Sequence, residues 1–133
     1  DAGNNINHQI VEGQMQGGIT QGAGQVFCEQ AIYDQSGQLL TGSFMDYAMP
    51  RPGLVDGLML IEHPVPTATN PLGAKGVGEA GVTGSLPALM NAVMDALRTQ
   101  GVTHFDMPAS PQRIWRALQS AKAGQPSALS VHA

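Results

Sequence analysis

Ile10, Val11, Met15 and Ile19 recur at near-helical spacing behind Asn7, a residue suited to an N-cap, and the pattern predicts a helix near the start of the chain. Gly13, Gly17, Gly18, Gly22 and Gly24 lie inside it, each costing about 1 kcal/mol relative to Ala, so tertiary contacts have to hold this helix. Gly13 with Gly17, and Gly18 with Gly22, stand about one turn apart, which admits a neighbouring backbone or a ligand at close range. Further on, the alternation changes. Residues 30–33 and 38–40, joined by Asp34-Gln35-Ser36-Gly37, read as a hairpin; residues 43–47 extend its sheet, and residues 58–62 read as another strand. Residues 63–79, rich in Pro, Thr and Gly, form a long loop of the kind more often functional than idle.

Two more helices follow. Ser85 is read as a cap with Pro87 in the first turn, and Leu86, Leu89, Met90, Val93 and Leu97 make one apolar face before Gly101. Ser110-Pro111 repeats that start, with Ile114, Trp115, Leu118 and Ala121 as the buried stripe. Strands and helices mix without a βαβ rhythm, so the expected class is α+β, a mixed sheet with packed helices.

Composition narrows the function classes. The 133 residues are 42% hydrophobic and only 12% charged, enough for a core but with a surface unusually poor in charge, so part of that surface is expected to meet another chain. The net charge is −4 and no basic run occurs, which argues against nucleic acid and anionic membranes as partners. No apolar stretch is long enough to span a bilayer, and the start has no export signal. The single cysteine, Cys28, excludes an internal disulfide and a cysteine-ligated iron–sulfur cluster within this chain alone. A cytoplasmic setting is expected. The missing initiator Met suggests a piece of a longer protein.

The densest chemical feature is Gly73-Ala74-Lys75-Gly76-Val77-Gly78-Glu79-Ala80-Gly81. It contains a formal G-x-G-x-x-G from Gly76 to Gly81, but no predicted strand leads into it and Glu79 would set a negative charge beside a pyrophosphate. A dinucleotide site is therefore the weakest of three readings. Glycines flanking a carboxylate also let the backbone approach a bulky ligand while presenting one side chain, and Glu79 so placed can serve as a general base. The plainer reading has Glu79 favouring a helix N-terminus through the dipole, with Lys75 a solvated charge. Gln14, Gly18 and Gln21 share a helical face suited to hydrogen-bonding a flat ligand, or else to close helix packing. His8 and Glu12 stand four apart, but two ligands make no metal site, and an exposed pair is the simpler reading. No metal ligand is assigned.

Several motifs in order then resemble one family. Asp1-Ala2-Gly3, Ile10-Val11-Glu12-Gly13-Gln14, Gly17-Gly18, Gln21-Gly22 and Gly24-Gln25 are similar to a block of the molybdenum-binding subunits of the xanthine dehydrogenase and aldehyde oxidase family, which also takes in aerobic carbon monoxide dehydrogenase. Leu40-Thr41-Gly42-Ser43-Phe44-Met45-Asp46-Tyr47, Asn70-Pro71-Leu72-Gly73 through Gly81, Asp106-Met107-Pro108-Ala109 and Arg113-Ile114-Trp115 follow in the family's order. The resemblance implies that residues 1–121 are the C-terminal part of a xanthine dehydrogenase-type molybdopterin-binding domain, with 122–133 a flexible tail. It implies oxidative hydroxylation of an aldehyde or N-heteroaromatic substrate, with Glu79 as the base that deprotonates a molybdenum-bound hydroxyl. Gln14 falls at a pterin-contacting position, and Lys75, Gly76, Val77 and Gly78 fall beside the cofactor. The Glu-Ala-Gly form of the motif is closer to bacterial multi-subunit members, which implies the cytosine dinucleotide form of molybdopterin. The implied partners are the remainder of the molybdenum subunit, an iron–sulfur subunit carrying [2Fe-2S] clusters and a FAD subunit. The isolated chain is then expected to be inactive. A non-catalytic interaction module that keeps the family fold is the competing reading.

Overall fold

Three helices organise the chain in a computed structural model that describes residues 1–125: α1 (His8–Phe27), α2 (Ala80–Arg98) and α3 (Pro111–Lys122). The α1 start is as the sequence predicts, with the Asn7 side chain accepting a hydrogen bond from the Ile10 amide at 3.0 Å. Gly18 and Gly22 are accommodated because α2 lies directly against them. A Cβ on Gly81 would come within 2.6 Å of the Met15 carbonyl oxygen, and one on Gly18 within 2.9 Å of the Val82 nitrogen. Gly22 faces Ser85 in the same crossing. Glycine here exchanges helix propensity for an approach of backbone on backbone that no larger residue permits.

α2 begins six residues earlier than the spacing predicts. Glu79 occupies the N-cap, while Ser85 is buried within the helix and donates to the Val82 carbonyl at 3.3 Å. Pro87 is inside the helix, where it deprives the Thr83 carbonyl of its amide partner but leaves the helix running on to Arg98. α3 starts at Pro111 behind Ser110, as expected. Its fully buried residue is Ala117, with Ile114, Leu118 and Ala121 packed around it. Trp115, assigned to the buried stripe by sequence, is 60% exposed.

Val26, Leu97, Val102, Phe105, Ala109 and Ala117 form the core, where the C-terminal ends of α1 and α2 meet the 102–109 segment and α3. The Ala109 amide donates to the Val26 carbonyl, and the Arg113 guanidinium lies 5.5 Å above the Phe105 ring. Leu86, Leu89, Met90 and Val93 pack on this core from the predicted face of α2.

The expected α+β class and its mixed sheet are not found: among the described residues the architecture is all-helical, without a named strand. The hairpin turn exists. The Tyr33–Leu39 bridge, the Asp34 amide on the Gln38 carbonyl at 2.9 Å and the Leu40 amide on the Ile32 carbonyl at 2.8 Å mark it. It grows no ladder, however. Residues 43–47 curl into a turn, with the Tyr47 amide donating to the Ser43 carbonyl at 2.8 Å. Residues 58–62 run without strand pairing, and Met59 and Ile61 stand 81% and 84% exposed. β-patterned sequence becomes strand only where a neighbouring backbone supplies partners, and among the described residues none pairs with 43–47 or 58–62. The predicted tail at 122–133 lies beyond residue 125 for most of its length, outside the described residues.

Candidate active site

Glu79 closes a short turn that enters α2. The turn is held by the Ala80 amide on the Val77 carbonyl at 3.1 Å, and the Thr83 amide and hydroxyl both donate to the Glu79 carbonyl, at 3.0 and 2.9 Å. Glu79 has helical backbone angles instead of the extended ones of a capping residue, and its side chain caps nothing. Among the described residues its carboxylate has no hydrogen-bond partner. The plainer reading needs no such bond, and Glu79 stands at the N-cap of α2, the position that reading expects. The dipole of α2 still favours a negative charge there.

Gly76, Gly78, Glu79, Ala80, Thr83 and Gly84 line an open depression around this carboxylate. Cβ positions on Gly76 and Gly84 would meet nothing within 4 Å, so the backbone is bare toward the depression. Gln14, from α1, is brought to the same place: its Oε1 lies 3.8 Å from where a Cβ on Gly78 would sit. Val77 is half-buried and lines a separate cavity of about 190 Å³ together with Val11, Met15 and Leu60.

The proposed amide face of α1 divides in two. Gly18 is covered by α2, so the packing reading holds there, whereas Gly13 and Gly17 are the glycines with open space. Gln14 and Gln21 are both exposed. Lys75 neither points freely into solvent nor stands alone: its ammonium pairs with Asp1, and its amide donates to the Ala2 carbonyl at 2.8 Å. Sequence reasoning gave Asp1 no role. The two residues are 74 positions apart, and no periodic signal links them.

His8 and Glu12 approach to 3.6 Å, and His8 also meets Glu62 at 2.9 Å, a contact across the chain that spacing along one helix does not reveal. Among the described residues no cluster of three metal-binding side chains forms. The G-x-G-x-x-G reading loses its context, since no strand precedes it and Gly81 is consumed in the α1–α2 crossing. No described helix is long and apolar enough to cross a membrane.

A depression with bare backbone and an unpartnered carboxylate in its lining, and a carboxamide near Gly78, has room for a large, hydrogen-bonding group. Residues 1–55 match the molybdopterin cofactor-binding domain family. The carbon monoxide dehydrogenase large chain of Hydrogenophaga pseudoflava is 40% identical over 120 residues, covering 90% of this chain and 15% of the relative. The nicotine 6-hydroxylase large subunit of Paenarthrobacter nicotinovorans is 39% identical over 117 residues, covering 88% and 14%. The crystal structure of quinoline 2-oxidoreductase from Pseudomonas putida 86 superposes with a TM-score of 0.83 at 40% identity, covering 90% of this chain and 15% of that one.

These are molybdopterin-dependent oxidoreductases, and the chain belongs to their family of large subunits, the one that includes carbon monoxide dehydrogenase, xanthine dehydrogenase and aldehyde oxidoreductase. It spans about 15% of the length of the relatives named here.

Proposed function

We propose that this chain supplies the proton-handling wall of a molybdenum hydroxylase active site, with Glu79 as the general base. The observation that carries the proposal is an unpartnered carboxylate at the mouth of α2, on a glycine turn that lines an open depression, with the Gln14 amide oxygen close to Gly78. The molybdenum cofactor, when bound, supplies the two-electron oxidation and the site of oxygen transfer to the substrate carbon.

The remaining chemistry belongs to this chain. The Glu79 carboxylate takes the proton that the water-derived nucleophile gives up, a step that needs a base within hydrogen-bond reach. Gln14 offers both a donor and an acceptor to the edge of a pterin, and Gly76 and Gly78 let the backbone come close to it. Lys75 contributes through its backbone, because its side chain is engaged elsewhere. Val77 sets the wall behind the turn.

The substrate proposed is an aldehyde or an N-heteroaromatic compound, and the cofactor the cytosine dinucleotide form of molybdopterin. The partners are the rest of the large subunit, an iron–sulfur subunit with [2Fe-2S] clusters and a FAD subunit, in the cytoplasm. In the complete enzyme, Glu79→Gln is expected to lower kcat by roughly 10²- to 10⁴-fold, the usual contribution of a positioned base, with molybdenum content unchanged. Wild-type turnover in that variant removes the assignment. A native assembly devoid of molybdenum points instead to the non-catalytic module.

A further inference from the structure

We infer that Asp1 is a positioning residue for Glu79, an inference that rests on the general-base reading just given. The Asp1 carboxylate ties together three separate parts of the chain. Its Oδ1 accepts hydrogen bonds from the Gly3 and Val65 amides, each at 2.9 Å, and its Oδ2 pairs with the Lys75 ammonium. The two side chains of the ion pair are 30% and 34% exposed, so solvent screens them only in part. Charge-assisted bonds of this kind are roughly twice as strong as neutral ones. Backbone contacts repeat the link. Lys75 donates to Ala2 at 2.8 Å, Asn4 to Gly73 at 3.0 Å, and Gly3 bridges Ala74. Gly3 has φ +62, and a Cβ there would lie 2.2 Å from the Gly73 oxygen, so only glycine allows the two segments of this junction to touch.

Residues 76–79 therefore run between two anchors. At the far end is α2, fixed by the contact of Gly81 with the backbone of Met15 and Ile19. At the near end is Lys75, fixed by Asp1 and Ala2. Between them only Val77 is half-buried, while a Cβ on Gly76 would meet nothing within 4 Å and one on Gly78 only the end of the Gln14 side chain. A turn with two glycines and one half-buried side chain has a large conformational entropy to lose, and its anchors help decide where Glu79 stands. The helix fixes where this turn ends; Asp1 fixes where it begins. Releasing Asp1 leaves α1 and α2 docked and lets the beginning of the turn drift. A displacement of about 1 Å at a reacting group is enough to cost roughly 10²-fold in rate.

The test uses the complete large subunit assembled with its partners. Asp1→Asn is expected to lower kcat by roughly 10- to 100-fold while molybdenum content and KM stay close to wild type. Amide exchange at Val65 and Lys75 is expected to speed up by about tenfold or more as the hub opens. Lys75→Met removes one arm of the hub and gives a smaller effect of the same kind, and Lys75→Arg, which keeps the charge, restores most of the rate. Should Asp1→Asn fail to assemble, Lys75→Met and its Arg counterpart carry the same readouts. Wild-type kcat and unchanged exchange in these variants overturn the inference. Activity that falls only in step with lost molybdenum also overturns it, because that is a scaffold effect. Glu79→Gln measured alongside separates the two ideas. An active Glu79→Gln enzyme sinks the general-base reading, whereas an inactive one beside a fully active Asp1→Asn enzyme sinks the positioning role alone.

Discussion

Asp34 shows how much one exposed side chain can organise. Its carboxylate is held below the ordinary 3.8, first by the Ser36 hydroxyl and then by the Gln38 amide, at 2.7 and 2.9 Å, and these bonds shape the turn that Gly37 completes at φ +84. The pKa is lowered in the folded turn, so its contribution to stability is fully present above 3.8 and is lost as pH falls through the lowered value. A chemical-shift titration of the Ser36 and Gln38 amides should show a midpoint under 3.8, absent in Asp34→Ala; a midpoint at or above that value contradicts the bonding described. Tyr47 is shifted in the opposite sense. Its hydroxyl donates to Glu29 at 2.9 Å, and that bond raises it above 10.0, so this tether between the 43–47 turn and the end of α1 persists below pH 10 and fails as pH rises through the raised value.

At the scale of elements, the α1–α2 crossing carries the architecture, and its glycines fall into two groups. Gly18 and Gly81 lie against backbone, where an added methyl group has nowhere to go, whereas Gly17 lies in open space. Gly81→Ala and Gly18→Ala are expected to destabilise the fold by about 1–3 kcal/mol through overpacking. Gly17→Ala should stabilise it by about 0.5–1 kcal/mol, because only helix propensity changes. Thermal or denaturant midpoints followed by helical circular dichroism distinguish the two groups; equal effects at Gly17 and Gly81 remove the argument for a backbone crossing. The same crossing sets the entry to the site, since Gly81 is two residues beyond Glu79. Loss of the crossing is therefore expected to cost function together with stability.

For the whole molecule, the outstanding property is exposed apolar surface. Ile6, Phe44, Met45, Met59, Ile61 and Trp115 are all between 60% and 93% exposed, on a chain that has only six Lys and Arg residues and ten Asp and Glu residues. Where such side chains gather into one patch, they mark contact with other protein. The chain by itself is expected to bind a hydrophobic dye strongly and to self-associate in sedimentation experiments, and to lose both properties within the complete enzyme. A monodisperse, dye-silent isolated chain would show that these side chains need no partner.

The sequence by itself determined the local events: the Asn7 and Ser110 caps, the apolar face of α2, the turn at Asp34, and the Gly-Glu motif with its ordered companions that identify the family. Each depends on residues within a few positions of one another, or on a pattern read residue by residue, and both survive in one dimension. Tertiary structure alone decided that the β-patterned segments form no sheet among the described residues, and that α2 starts at Ala80 with Ser85 inside it. It also decided that Lys75 answers to Asp1 and that Gln14 reaches the turn before α2. Strand pairing, helix crossing and long-range ion pairs depend on what lies alongside in space, and adjacency of that kind has no period along the chain.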